Sequence, residues 1–394
     1  MISFDGAVAA LIDAVAPLPT ERIAIGIAAG RRLAEDVQAS AAAPRTATSA
    51  MDGYAVVDCN TRPHERYGVI GESRPGMPFS GILGPGSAVR VFTGAQLPKG
   101  ADRVIVQEQA LRDGKQVTFL PGYGPKRHIR AAGSDFAAGA VLLKAGTYLS
   151  PTAILAAAAA DRAELLVHRR PRVAIIGTGD ELAQPGTATA RPDSIPDSVT
   201  FGIAALAQNS GAELVARVCE RDDLNALQRQ ANDLLETAHI VVITGGASVG
   251  DYDHAKAMLA PHDLELIFDR VAIKPGKPVW MGQARGKLVL GLPGYPGAAM
   301  VTAAIFLRPL LALMQGSSPK QAWPWRQHLI SQALGPTGTR ETFLRAKWRD
   351  NGLVLVGNED SGAQAALAQA EWLIRCRPGW QRQEAGTLVS ALPL

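Results

Sequence analysis

The 394-residue chain is short of the residues that staple small secreted domains and of those that grip nucleic acid. Its 3 cysteines, Cys59, Cys219 and Cys376, lie far apart with no metal-ligand spacing, which argues against a disulfide framework and a zinc module. So sparse and odd a set is the usage of a reducing compartment. Aromatic residues make up only 5%, and no dense Lys/Arg patch interleaves with them; the strongest basic cluster, Lys126-Arg127-His128-Ile129-Arg130, is short. Charge of one sign is scarce as well. Forty basic residues against 36 acidic ones leave +4, so a sequence pI near 9.0 does not argue for a nucleic-acid partner. The first residues carry Asp5 and Asp13 and lack the basic segment of a secretory signal. One uncharged run, 288–307, is long enough to span a bilayer, but Gly291, Pro293, Gly294, Pro296 and Gly297 would break a membrane helix early. It reads instead as a buried strand, a loop and a core helix. The expectation is a soluble cytoplasmic protein with no membrane and no nucleic acid among its partners.

What is present is apolar substance and punctuation. Hydrophobic residues reach 47%, enough for real cores, and the length predicts two to four domains. Residues 4–17 have helical spacing, and 28–36 read as a second helical piece. A Thr/Pro/Ser-rich stretch at 41–49 reads as a linker. Between 50 and 138, short Val/Ile/Tyr runs (67–71, 88–93, 103–108) sit between Gly and Pro turns, which predicts a β-rich domain. Residues 150–160 predict a helix with Ser150 as cap and Pro151 at its first position. From 171 the pattern alternates: strands at 172–176, 213–219, 240–244 and 288–292, helices near 198–209, 223–237, 254–260 and 297–315. That alternation predicts a parallel, doubly wound sheet with ligands at the carboxyl ends of its strands. Residues 316–324 read as a linker and 325–394 as a small β-domain with strands at 352–356 and 387–392. The fold class is therefore α/β plus β. Its expected parts are a helical/linker domain from 1–45 with 139–170, a β-rich domain at 46–138, an α/β domain at 171–316 and a C-terminal β-domain at 319–394.

Three glycine-rich loops lie close together at 245–299. They read Gly245-Gly246-Ala247-Ser248-Val249-Gly250-Asp251-Tyr252-Asp253, Ala272-Ile273-Lys274-Pro275-Gly276-Lys277-Pro278 and Gly291-Leu292-Pro293-Gly294-Tyr295-Pro296-Gly297. Glycines after a strand let backbone N–H groups approach an anion, and a helix start adds a favourable dipole. Lys274 and Lys277 supply cations; Asp251 and Asp253 supply hard oxygen ligands. The combination points to a phosphorylated ligand held with a divalent metal. A plainer reading makes one aspartate the cap of the helix near His254 and the lysines solvated loop charges. Gly177-Thr178-Gly179-Asp180-Glu181-Leu182 is either a further ligand loop or an ordinary strand-to-helix turn.

Taken in order, seven segments resemble the molybdopterin molybdenumtransferases, the family that includes the gephyrin E domain. They are SAMDGYAV (49–56), TGAQLPKGAD (93–102), residues 129–135, TGDEL (178–182), 245–253, AIKPGKP (272–278) and 291–296. The resemblance runs through essentially the whole chain. It implies an enzyme that takes adenylylated molybdopterin and molybdate, releases AMP with Mg²⁺, and leaves molybdenum on the dithiolene. It also implies Asp52, Glu181 and Asp253 as catalytic carboxylates, with Glu181 and Asp253 on the metal. Thr93, Arg130, Asp135, Ser248, Arg270, Lys274, Lys277, Pro293 and Pro296 are implied at the substrate, together with Asp222 or Asp223, whose adjacency leaves the register open. A homodimer with a cleft shared between chains is implied, and an apo-molybdoenzyme or another cofactor-biosynthesis protein is a partner it allows.

The chain departs from the family pattern in places. Tyr295 stands where Asn is usual, Ala298 where Ser is, Val199 where Asn is and Arg270 where Lys is common; Ala365 and Ala366 fall in a segment that lacks two expected hydroxyls. These departures keep open the reading of a non-catalytic pterin-binding paralogue that passes cofactor to an apo-molybdoenzyme, and the gephyrin resemblance allows that of a scaffold.

Overall fold

The computed structural model describes residues 1–245, 254–357, 360 and 362–394. One of three six-stranded sheets has its strands in the order Glu213–Glu220, Arg172–Thr178, Ile240–Thr244, Lys287–Leu292, Trp280–Ala284, Glu265–Asp269. The first four are parallel, as expected. The last two are not: Trp280–Ala284 runs antiparallel to both neighbours, so the sheet is mixed. The reason lies in the turn after Ala284. Arg285 (φ 49) and Gly286 (φ 70) are both left-handed, the geometry of a two-residue hairpin loop. The sequence reading passes over both added strands, 265–269 and 280–284.

Alternation along the parallel strands puts one apolar set on each face. Val173, Ile175, Ile240, Val242 and Leu290 face the helices Val199–Asn209, Phe4–Ala14 and Pro296–Met314. Ala174, Ile176, Val241, Ile243 and Val289 face Leu227, Ala231, Leu234 and Leu235 of the helix Leu224–Thr237. That helix has its apolar residues at three- and four-residue spacing and starts at Asp223, whose carboxylate accepts from the amides of Asn225 and Ala226 at 2.9 and 3.2 Å. Each of these buried Val, Ile and Leu side chains contributes about 1.5–3 kcal/mol. Pro296–Met314 is long and apolar enough to cross a membrane, yet 89% of it is buried inside the protein, which bears out the core-helix reading of 288–307.

The β-rich domain is a six-stranded sheet ordered Arg103–Val106, Gly53–Val56, Ser87–Val91, Arg66–Ser73, Gln116–Phe119, Ala110–Asp113. Thr20–Ala24 pairs with Glu164–His168, and the helix Pro151–Ala159 is capped by Ser150 as its sequence predicts. The C-terminal sheet is built on Glu341–Arg349, flanked on one side by Ile273–Lys274 and on the other by Trp372–Cys376. The 272–278 loop is thereby stitched to the C-terminal domain.

Two local expectations fail. Residues 28–36 are not a helix. Gly30 takes φ 76, and Leu33 turns inward to bridge Val167 and bury completely. Residues 316–324 are not an open linker, since Ser318 and Gln321 form a capping box that starts the one-turn helix Pro319–Ala322. Trp323 then donates to Ile305 O at 2.9 Å from a buried position.

Candidate functional site

Strand register decides which loops share an edge. Thr178 pairs with Glu220, Gly177 with Thr244, Thr244 with Leu292, Gly291 with Trp280, and Trp280 with Asp269. Five chain crossings therefore meet at one edge of the sheet: 178–182, 220–223, 244–245, 269–280 and 292–296. They bring together Glu181, Asp222, Arg270, Lys274, Lys277, Pro293 and Pro296.

Close backbone contact packs three of these crossings. Gly245 has φ 89, and a Cβ there would overlap Thr178 O; one on Gly294 would lie 3.4 Å from Gly245 Cα. Thr244 Oγ1 donates to Pro293 O at 3.3 Å. Glu181 is exposed, and its carboxylate folds back over Gly179, where a Cβ would meet Oε2 at 2.6 Å. Thr178 Oγ1 donates to Asp222 Oδ1. The two adjacent aspartates differ in geometry: Asp223 caps its helix, and Asp222 is tied to the strand end at Thr178. Ser248 and Asp253, with Asp251, lie outside the described residues.

The cations sit on the 270–279 crossing. Arg270 (φ 73) is held through its amide to Val279 O at 3.1 Å. Lys274 and Lys277 are exposed. Between them Gly276, at φ 101, lies so close to the core helix that a Cβ would overlap Thr302 Cγ2. Lys274 also pairs with Thr342 of the C-terminal sheet. Pro296 is the first residue of the helix Pro296–Thr302, and Tyr295 precedes it with 69% of its surface exposed. Ala298 is buried, and Val199 opens its helix just after Asp197. Asp197 is itself buried and accepts from Thr200 N at 3.1 Å and from Arg217 Nη1 at 3.3 Å.

A second group forms at one corner of the β-rich domain. Asp52 Oδ1 accepts from the amide of Thr93 at 2.7 Å and from its hydroxyl at 2.8 Å. These two bonds, the amide's first, hold the Asp52 carboxyl below its ordinary pKa, and the charge of Arg90 acts in the same direction. Asp52 O accepts from Gln107 N at 3.0 Å. Ile129–Arg130 pairs with Thr48–Ser49, which places exposed Arg130 beside the same segment. Asp135 is exposed and bonds through its amide to Ala43 O at 3.0 Å; no described hydrogen bond links it to Asp52 or Thr93. Sequence reasoning misses Thr178, Arg90 and Gln107. A signal for Arg90 exists: a charged residue flanked by valines in the strand Ser87–Val91, three positions before Thr93.

The chain is similar to known proteins over most of its length. Residues 2–160 match the family described as MoeA N-terminal region (domain I and II), and residues 174–313 match a probable molybdopterin binding domain. The chain is 34% identical to the molybdopterin molybdenumtransferase of Nostoc sp. over 82% of this chain and 76% of that protein. It is 33% identical to the protein of the same name from Haemophilus influenzae, over 88% and 85%. The molybdopterin biosynthesis moeA protein of Pyrococcus horikoshii superposes with a TM-score of 0.84 at 24% identity, covering 100% of both chains, and shares the fold.

Proposed function

The chain belongs to the molybdopterin molybdenumtransferases, enzymes of molybdenum-cofactor biosynthesis, and we propose that it inserts molybdate into adenylylated molybdopterin, with Mg²⁺, releasing AMP. The observation that carries the reading is the single sheet edge at which Glu181, Asp222, Arg270, Lys274 and Lys277 converge. A pyrophosphate and an oxyanion both need cations and N–H donors, and this edge offers three basic side chains and closely approaching glycine backbone.

The donor set fits a hard cation. Mg²⁺ keeps several waters and takes one or two carboxylates plus phosphate oxygens, and Glu181 and Asp222 are such carboxylates beside adjoining strand ends. The family resemblance adds Asp253 to them. Bound there, the ion would neutralise pyrophosphate charge. The chain's own residues do the rest. Lys274, Lys277 and Arg270 hold anionic oxygens, and the 293–296 loop shapes the edge at which the ligand lies. Asp52, with Oδ1 fixed by Thr93, presents its other oxygen to the substrate.

Asp52 and Glu181 lie on turns that flank strands of different sheets, and among the described residues no hydrogen bond or ion pair joins their two groups. We infer that a second copy of the chain supplies the β-rich corner to each sheet edge, in a cytoplasmic homodimer. Mixing an Asp52→Ala chain with a Glu181→Ala chain tests this, because both lesions can segregate into one cleft and leave the other intact. Each variant alone should lose at least about 100-fold in AMP release, and the verified heterodimer should recover a large part of it. A heterodimer as inactive as its parents would place the whole site within one chain.

A further inference from the structure

Arg90 lies between the two segments that make the Asp52 corner. It faces Tyr54 across the strand pair, and its guanidinium sits 5.1 Å from the Tyr54 ring centroid and 5.0 Å from that of Phe92. Phe92 also carries the Arg74 guanidinium at 5.6 Å. Arg90 Nη1 donates to Gly53 O at 3.2 Å, and Nη2 donates to Gln107 Oε1 at 2.6 Å. Gln107 in turn donates its amide to Asp52 O at 3.0 Å.

Three groups thus surround one carboxylate-bearing residue. The side chain of Asp52 is held by Thr93, its own carbonyl by Gln107, and the next carbonyl by Arg90, which also fixes the Gln107 side chain. Thr93 follows Phe92, the ring on which Arg90 rests. We propose that Arg90 is a positioning residue for Asp52, setting the direction of its carboxylate and keeping it bonded to Thr93. The assignment rests on the functional reading above only for its kinetic consequence; the structural coupling stands without it. A planar, stacked fork with two donors in fixed relation meets these needs, and lysine has no such fork. The positive charge beside Asp52 also favours the ionised carboxyl that accepts from Thr93.

The test uses the full chain labelled with ¹⁵N-threonine, with Arg90→Lys, Arg90→Met and Gln107→Ala variants. An amide bonded to a carboxylate resonates at low field, so Thr93 reports the Asp52 bond without substrate. Arg90→Lys keeps the charge and much of the stem, so it guards against a variant that fails to fold. The expected result is an upfield shift of the Thr93 amide in Arg90→Lys and a larger one in Arg90→Met, with a smaller shift of the same sign in Gln107→Ala. AMP release should fall about 10- to 100-fold in kcat in Arg90→Lys, with KM little changed, as misplacement of a reacting group produces. A Thr93 signal at its wild-type position in folded Arg90→Lys and Arg90→Met overturns the proposal. A displaced Thr93 signal with undiminished AMP release in both Arg90→Lys and Asp52→Ala supports the coupling and overturns instead the role of Asp52 in the reaction.

Discussion

Gly276 joins the cation loop to the core, and substituting it measures how tightly the two are coupled. Its φ of 101 is a conformation that L side chains rarely adopt. Forcing Ala into it costs about 1–3 kcal/mol. The added Cβ would also overlap Thr302 Cγ2, and Thr302 is fully buried with its hydroxyl committed to Ala298 O at 2.7 Å. Such overpacking costs about 1–3 kcal/mol more. Gly276→Ala should therefore destabilise the sheet domain by roughly 2–6 kcal/mol. Thr302→Ser removes only the offending methyl and keeps the hydroxyl bond, at about 1 kcal/mol. In the Thr302→Ser background the steric part vanishes, so Gly276→Ala should then cost only the backbone part. The double-mutant cycle should show a favourable coupling of about 1–3 kcal/mol. Hydrogen exchange of the 297–302 amides, read by mass spectrometry, isolates this element from the other domains. AMP release should follow the same order, being lowest in Gly276→Ala and partly restored in the double variant, because Lys274 and Lys277 ride on the displaced loop. Equal loss of protection in the two backgrounds would refute the steric reasoning and leave the cost entirely in the backbone.

Thr93→Val removes the hydroxyl bond to Asp52 and leaves the amide bond, so the Asp52 pKa should rise toward its ordinary value of about 3.9. The low-pH limb of the pH–rate profile should move to higher pH, whereas an unmoved limb would mean that another group sets it. His239 accepts from Arg172 N at 3.0 Å through Nδ1, and its pKa is lowered, first by burial and then by Arg172 and Lys287. Its folded pKa lies below that of the unfolded chain, so it costs no stability above about pH 6.5 and progressively more as pH falls below that. Thermal midpoints of His239→Gln should be less sensitive between about pH 7 and 5 than those of wild type, and parallel curves would rule the residue out. Tyr295→Asn should weaken pterin binding by about 1–3 kcal/mol if the exposed ring stacks on a flat heterocycle, the scale of base–aromatic stacking. It should raise AMP release, most clearly with Val199→Asn, if the ring hinders the substrate; unchanged affinity and turnover would leave Tyr295 a surface side chain.

Legibility varies with the kind of signal. The buried parallel strands declare themselves as β-branched runs, and 240–244 agrees with its sequence reading to the residue. Ser150-Pro151 marks its helix start in the same way, a local signal with a local cause. The strands 265–269 and 280–284 are hidden because each carries polar or glycine positions and the hairpin turn is an arginine followed by glycine, not Asn-Gly. Residues 28–36 have helical composition, but burial of Leu33 against Val167 outweighs propensity. At the site, motif residues can be named from sequence, yet their grouping needs register. Asp222 and Asp223 are equivalent as letters, and only the Thr178 bond and the helix cap separate them. Arg90 and Gln107 act on Asp52 through backbone carbonyls, a connection no linear spacing records.

The measurement that tests the central claim most directly is the incubation of purified protein with adenylylated molybdopterin, Mg²⁺ and molybdate, followed by quantitation of AMP. The expected result is AMP release in proportion to the substrate consumed, dependent on molybdate and on the metal, and lost in both Asp52→Ala and Glu181→Ala. Tight binding of the pterin with no AMP formed above the protein-free control would contradict the claim, and would make this chain a carrier of the cofactor.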